Sequence, residues 1–371
     1  MINIGFGVTV LNNETKKKHL DGIGIYSKEL FHALQKHPLI KLHPLGFGRA
    51  LNNSNTINNS YLLHILPYLI ANKKQNLKDP KINIFHATDH YIPALENTLV
   101  IATVMDLIPF LHPEWVSSKL RGLKNYGFKK LIKSADHIIT ISQYSKNDLV
   151  NYMGIKQEKI SVTHLGVNKS FFARCSPTFY QKILKKHKIK PGFFLFIGTL
   201  QPRKNLIELI DAHALLPLEL QTKHQLVLVG QNGWGTDELI NKIKEGESKD
   251  TVKWLKHLPQ QEVQALLQLA QALVFVSLFE GFGLPVLEAF ASQCPVIASN
   301  TTSIPEVAGT AALLVNPQDK LSINAAMQRL INDPTLAEQL RNKGLKQAKQ
   351  FTWDQCAAKT IEVYKKLSSN P

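Results

Sequence analysis

Two carboxylates, Glu280 and Glu288, are separated by seven residues in a stretch that also holds a glycine-rich turn. Gly281 and Gly283 would let the backbone approach a ligand closely. Pro285 can open a helix, because proline is tolerated at the first helical position. The free N–H groups at the start of such a helix can receive an anion. The stretch therefore predicts a site for a ligand that is both hydroxylated and anionic.

The residues leave three roles open for the two glutamates. Glu288 could complement the helix dipole from the first turn. The two side chains could be the acid and base of a hydrolase. Alternatively, both could hydrogen-bond sugar hydroxyls, one on a donor sugar and the other on a ribose.

Two adjacent cations, Arg203 and Lys204, lie between a predicted strand, 193–197, and a helix that begins at Leu206. Ligands of open α/β sheets bind at the carboxyl ends of strands. Arginine binds oxygens in a bidentate manner and lysine acts as a point charge, so the pair would suit a diphosphate. A solvated basic turn is the alternative. A diphosphate between these cations and the helix start fits the sugar-binding role of the glutamates best.

The loop after the next predicted strand is also rich in glycine. It reads Gln231-Asn232-Gly233-Trp234-Gly235. A plain turn explains this composition, and a position beside the bound ligand is the alternative.

The elements that must position these residues form two series in which apolar strands alternate with helices, which favours parallel sheets. The first series has predicted strands at 2–11, 82–85, 98–104 and 137–141, and a helix that Gly22 and Gly24 open. The second has predicted strands at 193–197, 225–229, 251–254, 272–276 and 295–298, and helices that begin at 206, 236, 260 and 285. The Asn-rich stretch 52–59 is interpreted as a surface loop.

The alternation breaks at 168–192, which holds a lysine cluster and ends in Pro-Gly. We therefore predict an α/β protein with two doubly wound, Rossmann-like domains, residues 1–170 and 192–350, which face each other across a cleft. Residues 171–191 are the predicted linker. A C-terminal helix within 351–371 is expected to cross back to the first domain. A chain of 371 residues is also too long for one typical core.

Composition argues against several classes of protein. No apolar run reaches the roughly 18 residues of a membrane span. Residues 1–11 are apolar, but they lack the basic segment and small-residue cleavage site of a signal peptide, so we expect a first strand there. The three cysteines are far apart, which favours the reducing cytosol and argues against a disulfide framework or a zinc site.

The formal net charge of +16 suggests an acidic partner. Within 117–134, four lysines would share an arc of about 100° on a helix. They are Lys119, Lys129, Lys130 and Lys133. At about 1 kcal/mol for each cation near anionic lipid, they could attach the protein reversibly to a membrane surface. A solvated lysine face is the alternative. Nucleic acid is not expected, because no reader motif is present.

Three motifs give these residues a wider context. They are Gly198-Thr199-Leu-Gln-Pro-Arg203-Lys204-Asn205, the pair within Glu280-Gly-Phe-Gly-Leu-Pro-Val-Leu-Glu288, and Ile304-Pro-Glu-Val-Ala-Gly309. Shorter similarities are Gly22-Ile-Gly24, Asp106-Leu-Ile-Pro109 and Ile141-Ser-x-x-Ser145. On these motifs, the sequence resembles, over almost its whole length, the retaining GT-B glycosyltransferases of group 1 (family 4 type). That family includes bacterial lipopolysaccharide and O-antigen mannosyltransferases.

The resemblance implies that the second domain holds a nucleotide-sugar donor. Arg203 and Lys204 would bind the diphosphate and stabilise its leaving charge. Glu288 would bind the ribose, and Glu280 would bind the donor sugar. The other implied donor-binding residues are Gly198, Thr199, Asn232, Gly281, Phe282, Gly283 and Leu284. No cofactor or metal is expected, since the nucleotide sugar is a substrate and the chain has no Asp-x-Asp motif.

On the acceptor side, the resemblance points to Gly22, Gly24 and Asp106. From the residues alone, the glycines could form an ordinary strand-to-helix turn and Asp106 could cap a helix. His86 and His164 are interpreted as packed side chains.

The sequence departs from the family pattern at four positions. Met105 stands where relatives often have His, and Ile25 stands where they often have Arg. Val276 stands where relatives often have Pro, and Gln293 stands where they commonly have Gly. These departures affect acceptor and loop geometry and leave the two cations and both glutamates in place.

The activity implied by the resemblance is transfer of a hexose, with mannose as first assignment, from a nucleoside-diphosphate sugar. The acceptor would be a glycan or a lipid-linked glycan in cell-surface polysaccharide synthesis. The protein would work in the cytoplasm, with attachment to the inner face of the cytoplasmic membrane as an option. A GT-B sugar-nucleotide epimerase and a nucleotide-sugar-binding protein without turnover are the alternatives.

Overall fold

The computed structural model describes residues 1–12, 21–47, 55–58, 60–77, 79–115 and 121–369. The chain divides into two compact units. The first comprises residues 1–166 together with the segment that begins at Trp353, and the second comprises residues 167–352. Each unit contains a parallel sheet with helices. The prediction of an α/β protein with two doubly wound sheets is confirmed.

The first unit is organised around a parallel sheet. Its strands are β1 (Ile2–Gly7), β2 (Ile40–Phe47), β3 (Asn55–Asn58), β4 (Ile84–Ala87), β5 (Leu99–Thr103), β6 (His137–Thr140) and β7 (Ile160–Val162). Among the described residues the seven strands follow the order β3-β2-β1-β4-β5-β6-β7. β4 and β6 are buried at every residue, as expected for strands covered on both faces.

Helices lie between several of these strands along the chain. They are α1 (Thr9–Asn12), α2 (Gly22–Gln35), α3 (Tyr61–Ala71), α4 (Ile108–Leu111), α5 (Arg121–Ser134) and α6 (Gln143–Met153). Ser60 caps α3 through its side chain, and Asn72 ends the helix in the left-handed conformation with φ 54°. Ser142 caps α6 in the same way. Short polar residues at both ends therefore set the limits of α3.

The sequence predictions are wrong in detail at the first sheet. The predicted strand 2–11 ends at Gly7, and Thr9–Asn12 are helical. Part of the predicted Asn-rich loop, Asn55–Asn58, is the edge strand β3; residues 52–54 and 59 lie outside the described residues. β2 and β7 were not predicted. An edge strand has a pairing partner on one side only, so it needs little apolar sequence.

The second unit repeats the same architecture. Its strands are β8 (Phe194–Ile197), β9 (Leu226–Val229), β10 (Val252–Trp254), β11 (Ala272–Phe275), β12 (Val296–Ser299) and β13 (Leu313–Val315). Residues 167–352 are all described, and these six strands are parallel in the order β10-β9-β8-β11-β12-β13. β8, β9, β11 and β12 fall within one residue of their predicted limits.

Helices cover this sheet as well. They are α7 (Pro177–His187), α8 (Leu206–Ala214), α9 (Leu218–Lys223), α10 (Asp237–Ser248), α11 (Gln260–Leu269), α12 (Leu284–Ala291), α13 (Ile304–Ala308), α14 (Lys320–Asn332) and α15 (Pro334–Ala348). Helix α7 lies within the residues predicted to link the domains. Its Lys186 and His187 each contact Glu262 of α11 at 2.7 Å, which joins α7 to the second unit.

The last helix, α16 (Trp353–Ser369), lies within the predicted range 351–371 and belongs to the first unit. It packs against α2. Tyr364 is completely buried, and its hydroxyl contacts Nδ1 of His86 at 2.7 Å.

Both sheets change direction at one point. In the second sheet the chain runs outward from β8 through β9 to β10, then returns to β11 on the other side of β8. The first sheet does the same between β1 and β4. The loops that leave the two central strands diverge there, and this edge is where open α/β sheets bind ligands.

Candidate active site

The predicted cations and glutamates lie at the direction change of the second sheet. Arg203 and Lys204 end a 3₁₀ turn, Pro202–Lys204, in the loop that follows β8. Glu280 lies in the loop that follows the adjacent strand β11, and Glu288 lies one turn into α12. Pairing of β8 with β11, Leu195 opposite Leu273, brings the two loops together.

Glu280 pairs with both cations. Its Oε2 accepts a hydrogen bond from Nη1 of Arg203 at 2.9 Å, and its Oε1 accepts one from Nζ of Lys204 at 2.5 Å. The Lys204 side chain is 9% exposed, and its ammonium group lies 4.8 Å from the centre of the Phe275 ring. The sequence-predicted residues Arg203, Lys204 and Glu280 thus form one buried charge cluster.

The charges of this cluster determine the protonation of Glu280. Burial alone would raise the pKa of its carboxyl, but the charges of Lys204 and Arg203 outweigh burial and lower the pKa to about 2. Glu280 is therefore ionised at neutral pH. With one anion between two cations, the cluster has a net positive charge.

Backbone contacts hold the two loops in register. The N–H of Leu278 donates to the carbonyl of Arg203 at 2.8 Å. Asn205 donates through Nδ2 to the carbonyls of Val276 and Pro317, at 3.2 and 2.6 Å. Both cations therefore sit on a turn that is tied to the strand bearing the glutamate loop.

A second support comes from the loop after β12, which sequence reasoning missed. The hydroxyl of Ser303 donates to the carbonyl of Glu280 at 2.8 Å and lies 3.1 Å from that of Phe282. The hydroxyl of Thr302 accepts the N–H of Glu280 at 3.3 Å. Both residues directly precede the Ile304-Pro-Glu motif that the sequence analysis recognised. Their position next to this motif is the signal that could have identified them.

The glycine at the helix start has a specific conformational role. Gly283 has φ 115°, and a Cβ there would lie 2.7 Å from Cδ1 of Ile304. It is the N-cap residue of α12 and provides no side-chain cap, while Leu284 and Pro285 occupy the first two helical positions. The positive end of the helix dipole therefore faces the loop that carries Glu280.

Glu288 has an environment opposite to that of Glu280. It is half-buried on α12, and no described residue pairs with its carboxylate or donates a hydrogen bond to it. Burial raises the pKa of its carboxyl to about 8. A partly desolvated carboxylate without a partner is costly unless a ligand satisfies it, which favours hydroxyl recognition over a dipole cap.

Known protein families and a known protein match this chain in sequence. Residues 179–347 match the family described as Glycosyl transferases group 1, and residues 42–171 match Glycosyltransferase Family 4. An O-antigen chain mannosyltransferase B from Escherichia coli is 32% identical to this chain over 96% of this chain and 99% of its own length.

The chain belongs to the group 1 glycosyltransferases.

Solved structures show the fold of this glycosyltransferase. Sucrose-phosphate synthase from Thermosynechococcus elongatus is similar over 100% of both chains with a TM-score of 0.76 and 18% identity. HepE from Anabaena, solved in complex with UDP, is similar over 100% of both chains with a TM-score of 0.73 and 17% identity. The GT-B fold that the resemblance implied is confirmed.

The loops after β8 and β9 are in close backbone contact. A Cβ on Gly230 would lie 1.9 Å from the carbonyl oxygen of Gly198, so this close approach requires glycine. Leu200 and Asn232 form a backbone bridge. Oδ1 of Asn232 accepts the hydroxyl of Thr236 at 2.7 Å. The structure thus brings together the two loops that carry Gly198 and Asn232, and it adds Gly230, which the sequence analysis missed.

The remaining predicted donor-side residues differ in what they can offer a ligand. Thr199 is exposed, and Gly281 is buried. The ring of Phe282 is 3% exposed and packs edge-on against Phe351 at 5.9 Å, so its side chain serves the core. Leu284 is half-buried. Only the backbone of Phe282 is available to contribute to a site.

The acceptor-side candidates belong to the first unit. Gly24 donates its N–H to Oδ1 of Asp21 at 3.0 Å, and Gly22 is exposed in open space. Asp106 accepts the N–H of Ile108 at 3.1 Å through Oδ1, where α4 begins. The structure shows local helix-start contacts for Gly24 and Asp106.

Asp106 has an acidic neighbour that sequence reasoning missed. Asp148 on α6 is 5% exposed, and its Oδ2 has no partner among the described residues. Burial first, and then the charge of Asp106, raise the pKa of Asp148 to about 6, while His112 lowers it. The sequence offered no signal for this pair, because the two residues come from separate elements.

His86 is a packed core histidine, as interpreted from the sequence. It is fully buried, and its Nε2 contacts Oγ1 of Thr103 at 2.7 Å. Burial lowers the pKa of His86 to about 3. Met105, in place of the family's frequent histidine, uses its carbonyl to accept the hydroxyl of Ser145 at 2.8 Å.

In the part of the chain that the structure describes, no group of three or more His, Cys, Asp or Glu side chains is arranged to hold a metal ion. None of the helices in the described ranges combines the length and apolar character that crossing a membrane requires.

Proposed function

We propose that this glycosyltransferase transfers a hexose, with mannose as the first assignment, from a nucleoside-diphosphate sugar to a growing cell-surface glycan. The mannose assignment is supported by the name of the E. coli relative, an O-antigen chain mannosyltransferase. By its family, the enzyme retains the anomeric configuration of the donor sugar.

The observation that carries this proposal is the cluster of Arg203, Lys204 and Glu280. Two fixed cations share one carboxylate at the direction change of the sheet. A diphosphate has the negative charge and the oxygen atoms to replace Glu280 as the partner of both cations. Glu280 would then accept a hydroxyl of the donor sugar. The positive end of α12 adds to the field at the same place.

Glu288 completes the donor site as the ribose-binding residue. A carboxylate can accept hydrogen bonds from both hydroxyls of a ribose. The absence of a described protein partner leaves its oxygens open for this purpose. Its raised pKa means that ribose binding should favour the ionised form and release a proton near neutral pH.

Catalysis follows from charge stabilisation in the leaving group. Negative charge accumulates on the diphosphate as the bond to the sugar breaks, and Lys204 and Arg203 stabilise that charge. The acceptor hydroxyl attacks from the face that the diphosphate leaves, so no protein nucleophile is required. We propose that the fixed cations and the helix start take the role that a metal ion has in other transferases.

Donor screening is the first test of the proposed function. GDP-, UDP-, ADP- and dTDP-sugars are compared by thermal shift, and the stabilising donors are then incubated with glycan acceptors of polysaccharide synthesis. Transfer of mannose from GDP-mannose, unaffected by EDTA, is the expected result. Binding of nucleotide sugars without any transfer would support a non-catalytic protein instead.

An epimerase is separated from a transferase by isotope incorporation. Epimerisation moves a proton at a sugar carbon. In D₂O without acceptor, a transferase leaves the donor sugar free of deuterium, whereas an epimerase labels it.

The acceptor is proposed to be lipid-linked, which would place the enzyme at the inner face of the cytoplasmic membrane. Of the four lysines that the sequence suggested for this contact, Lys119 lies outside the described residues. Lys129 and Lys133 are exposed on α5, and Lys130 is half-buried.

A further inference from the structure

Helix α3 exposes an apolar face that the fold does not use. Leu62, Leu63, Leu66 and Ile70 are 61%, 64%, 40% and 76% exposed. At about 100° per residue these four side chains fall within an arc of about 100°. We call this set the α3 face. Soluble proteins seldom leave several neighbouring large apolar side chains in water, and such patches mark interaction sites.

The opposite side of α3 accounts for its packing. His64 and Ile65 are buried, and Tyr61, Tyr68 and Leu69 pack against the core of the first unit. The helix contains no charged residue. It is therefore anchored on one side and apolar on the other, so the α3 face is not needed to hold the helix on the sheet.

One lysine of α5, Lys130, contacts α3. Nζ of Lys130 donates to the carbonyl of Leu69 at 2.9 Å and lies 5.2 Å from the centre of the Tyr68 ring. Lys129 and Lys133, which share an arc of about 100° with Lys130, are exposed. Tyr126, 60% exposed, lies in the same arc.

The charged residues around the α3 face are mainly basic. Neither α3 nor α5 contains an acidic residue, and α3 is followed directly by Lys73 and Lys74. Glu96 lies near the end of this segment, where its N–H donates to the carbonyl of Gln75 at 2.8 Å. The apolar face therefore has a basic border with one acidic residue close to it.

We propose that the α3 face and the α5 lysines form a membrane-docking surface, in which the leucines and Ile70 enter the interface of an anionic bilayer. Interfacial helices bind in this way, with apolar side chains between the acyl chains and cations at the lipid head groups. An exposed tyrosine at the border suits the head-group region. A second copy of this chain fits less well, because two equally basic surfaces would repel each other in a protein of net charge +16.

A docked enzyme would meet the lipid-linked acceptor of the proposed function, but membrane binding is tested without catalysis. The purified protein is sedimented with vesicles of phosphatidylcholine alone and with vesicles of equal phosphatidylcholine and phosphatidylglycerol. Binding to the anionic vesicles and little binding to the neutral ones is expected. Wild-type protein that stays in solution with the anionic vesicles would overturn the proposal, whether or not sugar transfer is observed.

The apolar contribution is tested by the triple variant Leu62→Ser, Leu66→Ser, Ile70→Ser. We expect its partition coefficient to fall by about tenfold or more, because burial of one leucine side chain is worth at least that factor. The matched control is Leu218→Ser, Leu321→Ser, two leucines of the second unit that are 61% and 66% exposed. Circular dichroism and thermal unfolding check that all variants are folded.

The charge contribution is tested by Lys129→Gln, Lys133→Gln, with Lys343→Gln, Lys346→Gln of α15 as control. We expect a loss of about 30-fold at low salt that disappears at high salt. The proposal is overturned if the α3 variant binds vesicles as the wild type does. It is equally overturned if the only effect of that variant is a change in the molar mass measured by light scattering. That result would assign the α3 face to contact with a second copy.

Discussion

Two carboxylates, Asp89 and Glu280, follow the central strands at the direction changes of the two sheets, β4 in one unit and β11 in the other. Asp89 is 4% exposed and accepts the N–H groups of Val10 and Tyr91 at 3.0 and 2.8 Å. Glu280 is 8% exposed and accepts from Arg203 and Lys204. One carboxylate is held by neutral backbone donors, and the other is held by two charged side chains.

The difference shows that topology alone does not make a site. Both sheets offer the same edge, but within the described part of the chain the second sheet is the one that places cations there which a ligand anion could bind. In the first unit, Gly24 and Asp106 have local backbone contacts of the same kind as Asp89. We therefore propose that the donor site lies in the second unit, and the following predictions test this proposal.

The largest effect is expected for Lys204→Ala. It removes a buried cation from the leaving diphosphate, and loss of one such stabilising group lowers kcat by about 10²–10³-fold. The control is Lys242→Ala, which removes a lysine paired with Asp211 at 2.6 Å elsewhere in the second unit. Its turnover should stay within about twofold of wild type, as for surface pairs generally. Near-normal turnover of Lys204→Ala would remove the diphosphate assignment.

Glu280→Gln should separate binding of the nucleotide from use of the sugar. Without the carboxylate, a nucleoside diphosphate no longer competes for the two cations, so its affinity should rise several-fold by calorimetry. Sugar transfer should fall by about 10- to 100-fold, because a charged hydrogen bond to the donor sugar is lost. The matched control, Asp89→Asn, should leave nucleotide affinity unchanged. A weaker nucleotide affinity in Glu280→Gln would contradict the proposal that the diphosphate replaces Glu280 as the partner of the two cations.

The same residue predicts a dependence of stability on pH. The pKa of Glu280 is lowered from 4.5 to about 2, so its contribution is present above pH 4.5 and is lost as the pH falls toward 2. Denaturant unfolding of wild type and Glu280→Gln should therefore converge in acid. Curves that stay parallel down to pH 2 would show that the ion pairs do not stabilise the fold.

Glu288→Gln should have the opposite effect on stability. The pKa of Glu288 is raised from 4.5 to about 8, so the wild type loses stability as the pH rises from 4.5 through 8. At pH 8 the variant should be more stable by about 1–2 kcal/mol, less than a full shift at ~1.4 kcal/mol per pKa unit would give, because the group is half-buried.

Nucleotide affinity gives the second measurement on Glu288→Gln. It should fall by about tenfold or more, since hydrogen bonds to a charged group contribute about 1.5–3 kcal/mol. Unchanged affinity for the nucleoside diphosphate would exclude the ribose role and leave only the effect on stability.

The smallest effect is expected for Asp106→Asn. Asparagine can also accept the N–H of Ile108, and the residue belongs to the first unit. Calorimetry should give a nucleoside-diphosphate affinity within about twofold of wild type, the range of a near-neutral polar substitution. A tenfold loss of nucleoside-diphosphate affinity would mean that the first unit also contributes to donor binding. That result would contradict the difference proposed between the two sheets.

Much of the second unit could be predicted from the sequence, because most of its strands are short and apolar and because glycine or proline flanks β8, β9 and β12. The structure brings Arg203, Lys204 and Glu280 into contact, as their positions after adjacent strands suggest. Their pairing with one another could not be read from the sequence, since it depends on how the two loops pack. The hydrogen bonds from Ser303 to the loop that carries Glu280 could not be predicted for the same reason.

The first unit was harder to predict. β2 contains Pro44, which argues against a central strand, but β3 pairs only with Leu45–Phe47 beyond it. β3 itself is Asn-rich because an edge strand needs little burial. Gln293, where relatives have glycine, adopts φ 55°, and its Oε1 accepts Nη2 of Arg174 at 2.7 Å. A side-chain contact of this kind is invisible in sequence.

The central claim is most directly tested by a crystal structure of the enzyme with a nucleoside-diphosphate sugar and EDTA. The account predicts phosphate oxygens about 3 Å from Arg203 and Lys204, the ribose hydroxyls at Glu288, and Glu280 turned to the sugar. A diphosphate bound elsewhere, with Glu280 still holding both cations, would contradict it.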